Sequence, residues 1–156
     1  MANLENQNEE MLRQERVRNT VLAKVEKHQA LSDDDIRVVC PVAFKETMSE
    51  GEIKKLGLSK HYSFVPTSNV INDLRSMGWE CVDAKQVKAR KKSTRGYQKH
   101  MITFEHPKYK LDQVNEVEIS DGKTETQVTK AEEYPQILLT NSHDGGNAFT
   151  LSAGIF

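Results

Sequence analysis

The chain has 156 residues, 22 Lys+Arg against 23 Asp+Glu, and an apolar share of 37%. That apolar share is below the range of compact domains, which predicts a modest core with solvated arms and loops. The longest uncharged apolar run, Val38 to Phe44, has seven residues and contains a proline, far short of the roughly twenty a membrane span needs.

Residues 1–30 hold no proline or glycine, and Val17, Val21 and Val25 recur every four residues beside Leu22, with Glu9 four before Arg13. This is helix spacing with one thin apolar stripe, too narrow to stand without docking. Both a packed terminal helix and a partner-binding helical arm fit that pattern. After Asp33–Asp35 interrupts it, Ile36, Val38, Val39, Val42 and Phe44 with Pro41 between them predict an edge strand or a broken one. Residues 45–60 read as a short helix between loops.

The clearest local signal begins at Tyr62. Val65-Pro66 is an extended lead-in, Thr67 or Ser68 can cap a helix, and Val70, Ile71, Leu74 and Met77 follow helical spacing. Gly78 ends that helix, at about 68–77. Strands follow from Trp79 with Cys81 and Val82, and from His100 to Glu105, the latter stopped by Pro107. Residues 108–133 are acidic and polar, with Asp121-Gly122 as a turn signal. Residues 136–140 and 148–156 read as paired strands joined by Asn141-Ser142-His143-Asp144-Gly145-Gly146-Asn147, with Asp-Gly as the hairpin turn. The expected fold class is α+β: a mostly antiparallel sheet with one packed helix, an arm at 1–30 and a single domain over 31–156.

Near-neutrality hides a segregation of charge. Lys85, Lys88, Arg90, Lys91, Lys92, Arg95 and Lys99 follow one another with no acidic residue between them. Removing those seven leaves 15 basic against 23 acidic residues, so the remainder carries −8. A basic hairpin on an acidic body can contact phosphates in a groove or along a single strand, with Tyr97 and His100 as stacking faces. Competing readings are a solvated strand edge and a site for an acidic protein.

Catalytic signals are sparse. Of the five histidines, none pair at helix-face metal spacing, and His100 and His106 stand too far apart along one strand to share an ion. His143 and Asp144, with Asn141 and Ser142, are expected at an exposed hairpin tip, where turn chemistry and a ligand or catalytic role compete. Cys40 and Cys81 both read as buried strand residues, and two cysteines hold neither a disulfide framework nor a four-ligand zinc site. No phosphate loop, dinucleotide fingerprint, nucleophile elbow or zinc-protease motif occurs. The expectation is a non-enzymatic protein without metal or cofactor, in a reducing cytoplasm.

Two stretches, 57–106 and 134–156, resemble the phage/plasmid-like protein family, a domain of unknown function found in bacteriophages, plasmids and bacterial genomes. The resemblance rests on Tyr62, Val65-Pro66-Thr67, Gly78-Trp79, Arg90, Lys99-His100, His106-Pro107 and above all Asn141-Ser142-His143-Asp144-Gly145 with Gly154. Family members usually continue beyond the segment matching Gly154-Ile155-Phe156, so the resemblance implies a chain truncated at its C-terminus. It also implies a mobile-element protein acting inside a bacterial host cell. Three functions are therefore weighed. The first is nucleic-acid binding through the 85–99 hairpin, with Tyr97 stacking on a base. The second is an anti-defence inhibitor whose acidic surface binds a host protein, and the third a metal-dependent hydrolase around His143 and Asp144. The apolar end strand, with an edge left to pair, raises the expectation of a homo-oligomer.

Overall fold

A computed structural model describes residues 2–109, 113–118, 122, 124–129 and 135–155. Among the described residues the α-helices come first: α1 (Ala2–Glu26), α2 (Asp33–Val39), α3 (Glu50–Lys55) and α4 (Thr67–Ser76). The described strands follow: β1 (Glu80–Gln86), β2 (His100–Glu105), β3 (Gln113–Glu118), β4 (Thr124–Thr129), β5 (Pro135–Asn141) and β6 (Thr150–Ile155). The fold is α+β, as the patterning predicts. The main sheet is antiparallel throughout, in the order β1-β2-β5-β6, and β3 and β4 form a separate two-stranded ribbon. Gly122 lies between β3 and β4 at φ 75°, while Asp121 of the expected turn lies outside the described residues.

The register explains the core. Cys81 and Ala84 of β1 stand opposite Phe104 and Ile102 of β2, and these in turn stand opposite Ile137 and Leu139 of β5. Alternation then gathers these side chains on one face. There they cluster with Ile71 and Leu74 of α4, Ile36 of α2, Leu31 and Val21. A bulge between Cys81 and Asp83 shifts the β1 register. Gly78, at φ 90°, ends α4 and lets Trp79 N–H bond back to the Leu74 carbonyl at 3.1 Å. A Cβ at Gly78 would meet Nε2 of His106 at 2.5 Å, and His106 packs edge-on against Trp79, with ring centroids 5.3 Å apart. Gly78-Trp79 and His106 are therefore one packing unit.

Several expectations need correction. Residues 36–44 are not a strand. Ser32 accepts from Asp35 N–H while the Asp35 carboxylate accepts from Ser32 N–H, a capping box that starts α2, and Pro41–Phe44 is a short 3-10 helix. Asp33–Asp35 thus opens a helix, its carboxylates beside the positive end of the dipole. Cys40 sits at the C-cap of α2 and not in a strand. Both thiols are free and buried, and burial pushes each up to about 12. Neither Thr67 nor Ser68 caps α4, whose N-cap is Pro66 with no side-chain bond. In α1, Val21 is buried and Val25 half-buried, but Val17 is exposed.

The end of α1 is tied down at His28, which occupies the left-handed region at φ 51°. Its Nδ1 lies 2.7 Å from Oε1 of Glu105, a carboxylate 2% exposed. Next, Leu31 N–H donates to the Cys81 carbonyl at 2.7 Å. Arg75 of α4 pairs with Asp33 and donates to the Leu31 carbonyl, so α1, α2, α4 and β1 meet at this corner. No helix among the described residues is long and apolar enough to cross a membrane.

Candidate functional site

Of the residues expected at an exposed hairpin tip, Asn141, Ser142 and His143 form a buried polar cluster and Asp144 is half-buried. β5 ends at Asn141 and β6 begins at Thr150, so a loop of eight residues joins them where a seven-residue connection was expected. The loop is built around Ser142, whose hydroxyl accepts from Asn147 N–H at 3.0 Å and donates to the Asn147 carbonyl at 3.2 Å. Asp144 makes a local turn by accepting from Gly146 N–H at 2.8 Å. Gly145 has φ 75°, and a Cβ there would strike Leu58 at 2.5 Å. The absent side chain thus lets the loop lie against Leu58.

Asn141, Ser142 and His143 are all buried. Asn141 donates from Nδ2 to the Val65 carbonyl at 3.0 Å and to Thr67 Oγ1 at 3.1 Å. Thr67 Oγ1 lies 2.7 Å from Nε2 of His100, whose Nδ1 is 2.9 Å from the Gln98 carbonyl. These bonds draw the Thr67 hydroxyl inward, which is why it does not cap α4. The His143 ring lies between Phe64, at 4.8 Å between centroids, and His100, at 5.1 Å. Neither His143 ring nitrogen has a hydrogen-bond partner among the described residues. Burial, together with the neighbouring His100, pushes this imidazole down to about 4 against an opposing contribution from the Val42 backbone. Burial lowers His100 as well. Two neutral imidazoles are thus packed together. His100 offers no free face for a base, contrary to expectation, and His143 is buried where an exposed tip was expected, with Asp144 half-buried beside it. No three His, Cys, Asp or Glu side chains among the described residues converge as metal ligands would.

The basic segment is placed otherwise. Lys85 lies near the end of β1, paired with Asp83 at 3.1 Å. The other six cations sit in the connection 87–99, closed at its base by Val87 N–H donating to the Lys99 carbonyl at 3.0 Å. Lys88, Arg90, Lys91, Lys92, Arg95 and Lys99 are all exposed. Among the described residues they make no ion pair. Lys88, Arg90, Lys91 and Lys99 line a groove of about 480 Å³ whose opposite wall is Asp144 and Asn147. Sequence reading singled out both segments but gave no sign that they face each other. The link is backbone: His143 N–H donates to the Tyr97 carbonyl at 3.0 Å.

Tyr97 is not free to stack on a base. Its hydroxyl donates to Oε2 of Glu52 at 2.5 Å, and the Lys45 ammonium lies 4.8 Å above its ring. Lys45 also pairs with Glu52 at 2.7 Å. These two partners, with the Ser49 backbone, hold the Glu52 carboxyl down at about 2. Sequence reading missed the Lys45–Glu52–Tyr97 cluster. Its one visible sign was Ser49-Glu50-Gly51-Glu52, a capping-box pattern that starts α3 and fixes Glu52.

Two relatives of Escherichia coli strain K12 are each 24% identical over 132 residues: the UPF0380 protein YafZ and the UPF0380 protein YfjQ. Each match takes in 85% of this chain and 39% of the relative, so the chain spans about two-fifths of the length of these proteins. No solved structure matches. A family model described as "Domain of unknown function (DUF932)" matches residues 57–156, a span holding α4, the main sheet, the buried histidine pair and the basic connection. The chain belongs to this family of unknown function.

Proposed function

We propose that the chain binds nucleic acid along the 87–99 connection. The observation that carries this reading is the groove in which Lys88, Arg90, Lys91 and Lys99 face Asn147 and Asp144. Four cations without ion-pair partners among the described residues suit a run of phosphates, whose counterions they would displace. Lys92 and Arg95 extend the same surface, and Lys85 stands at its base beside Asp83. With Tyr97 engaged by Glu52 and His100 buried, recognition rests on phosphates and not on base stacking.

The test is fluorescence anisotropy with labelled single-stranded DNA, duplex DNA and RNA, at salt concentrations of about 50 and 200 mM. At least one should bind at the lower salt, with log K falling linearly against log salt. The combined Arg90→Glu, Lys91→Glu and Lys92→Glu variant should lose affinity by about a hundredfold or more and show a flatter salt dependence. Wild-type protein that binds none of the three at low salt would overturn the proposal. So would a stoichiometric protein partner from host lysate that survives nuclease treatment and is lost in the triple variant.

A further inference from the structure

Helix α1 is only half used by the fold. Residues 2–20 are all exposed, and Leu4, Met11, Leu12, Val17 and Leu22 are each at least 43% exposed. A helix with so thin an apolar stripe gains too little from its own backbone to be stable in water, and needs a surface to lie on. Leu4, Met11 and Leu22 are seven and eleven residues apart, close to whole turns, so they form one stripe beside the docked Val21 and Val25. Next to this stripe runs a groove of about 720 Å³ walled by Met11, Gln14 and Val17 of α1 and by Val38 of α2.

The charges on α1 say what would lie there. Residues 2–12 carry Glu5, Glu9 and Glu10 and no cation, a net −3. Residues 13–24 carry Arg13, Arg16, Arg18 and Lys24 against Glu15, a net +3. Among the described residues, Lys24 alone of these makes an ion pair, with Asp35 at 2.8 Å, and Glu10 accepts a hydrogen bond from Gln14 at 3.2 Å; Glu9 and Arg13 make no ion pair despite their spacing of four. A second α1 laid antiparallel puts acidic half against basic half twice over, whereas a parallel one puts like against like. We infer that this surface binds the same helix of a second copy of this chain, antiparallel, about a two-fold axis near residues 11–13. Such an interface is self-complementary, the usual form of a symmetric dimer. Its charged pairs are exposed, so the association weakens with salt.

Sedimentation equilibrium on the whole chain tests the inference. A dimer is expected at low salt, weakening as salt rises to about 1 M. Leu4→Glu with Met11→Glu should raise the dissociation constant by about tenfold or more, since both sites lie on the stripe. Unchanged Trp79 fluorescence would show the variant folded, because residues 2–20 are exposed and lie outside the core cluster. Orientation is read from a spin label at Asn3→Cys, Cys40 and Cys81 being buried and unreactive. Antiparallel pairing places the two labels about 25 Å apart, and parallel pairing about 10 Å. A monomer at every soluble concentration, a dimer indifferent to the Leu4/Met11 variant, or the shorter label distance would each overturn it.

Discussion

The loop 141–147 and the connection 87–99 face each other across one groove but are stabilised in opposite ways. The first is a polar sequence whose leading residues Asn141, Ser142 and His143 are buried, with Asn141 and Ser142 hydrogen-bonded and the His143 ring packed between Phe64 and His100. The second is a charged sequence whose six cations are exposed and unpaired among the described residues. Substitution separates them, because a buried polar group is expensive to leave unsatisfied while an exposed charge is not. The first region should govern stability, the second surface chemistry.

The largest expected effect is at Asn141. Asn141→Ala removes the donor to the Val65 carbonyl and Thr67 Oγ1 and the acceptor for Ser142 N–H. It should cost about 3 kcal/mol, measured as a lower urea midpoint, because several buried groups lose partners together. A cost below about 1 kcal/mol would mean that water reaches the cluster and that the two regions differ less than their burial implies.

Next comes pH. A histidine held at about 4 when folded, against an ordinary value of 6.5, binds its proton more readily when unfolded. Its contribution is therefore complete above about pH 6.5 and is lost as pH falls toward 4. The loss is on the order of 3 kcal/mol for His143, and His100 shifts in the same direction. Denaturant melts at pH 7, 5.5 and 4.5 (about these values) should show the decline. His143→Gln should flatten it in part, and an unchanged slope in that variant would assign the pH dependence elsewhere.

The smallest effect is on the other wall. Arg90→Gln with Lys91→Gln and Lys92→Gln should change stability by no more than about 0.5 kcal/mol, checked by the same urea melts. A larger loss would show that these cations support the fold and would blur the contrast.

Much of the fold was legible because its signals are local. The spacing of Ile71 and Leu74 before Gly78 located α4 to within a residue or so at each end, and the apolar segments bounded by Gly78, Pro107 and the Asn141–Asn147 turn located the four strands of the main sheet. The segment 36–44 was misread because the β-branched Val38 and Val39 beside Pro41 favour a strand, while the signal for α2 lay upstream in the Ser32-to-Asp35 box. The ribbon of β3 and β4 went unnoticed because its sequence is mostly polar, with little apolar alternation to reveal it. For the site, charge density marked the basic connection, and the fold leaves its six cations exposed. Burial of His143 was not legible: the Val65, Thr67 and Asn141 that close the cluster around it are up to 76 residues apart in sequence. Nor was the pinning of Tyr97 by Glu52, 45 residues away.

The bond from Val87 N–H to the Lys99 carbonyl cinches the basic connection at its base. Six like charges are then confined to a thirteen-residue span, with no internal anion to relieve them. Folding thus concentrates a field that the extended chain would disperse, at the expense of self-repulsion. Small cations are driven from this span and small anions gather on it, so any polyanion that arrives trades places with a mobile atmosphere already there.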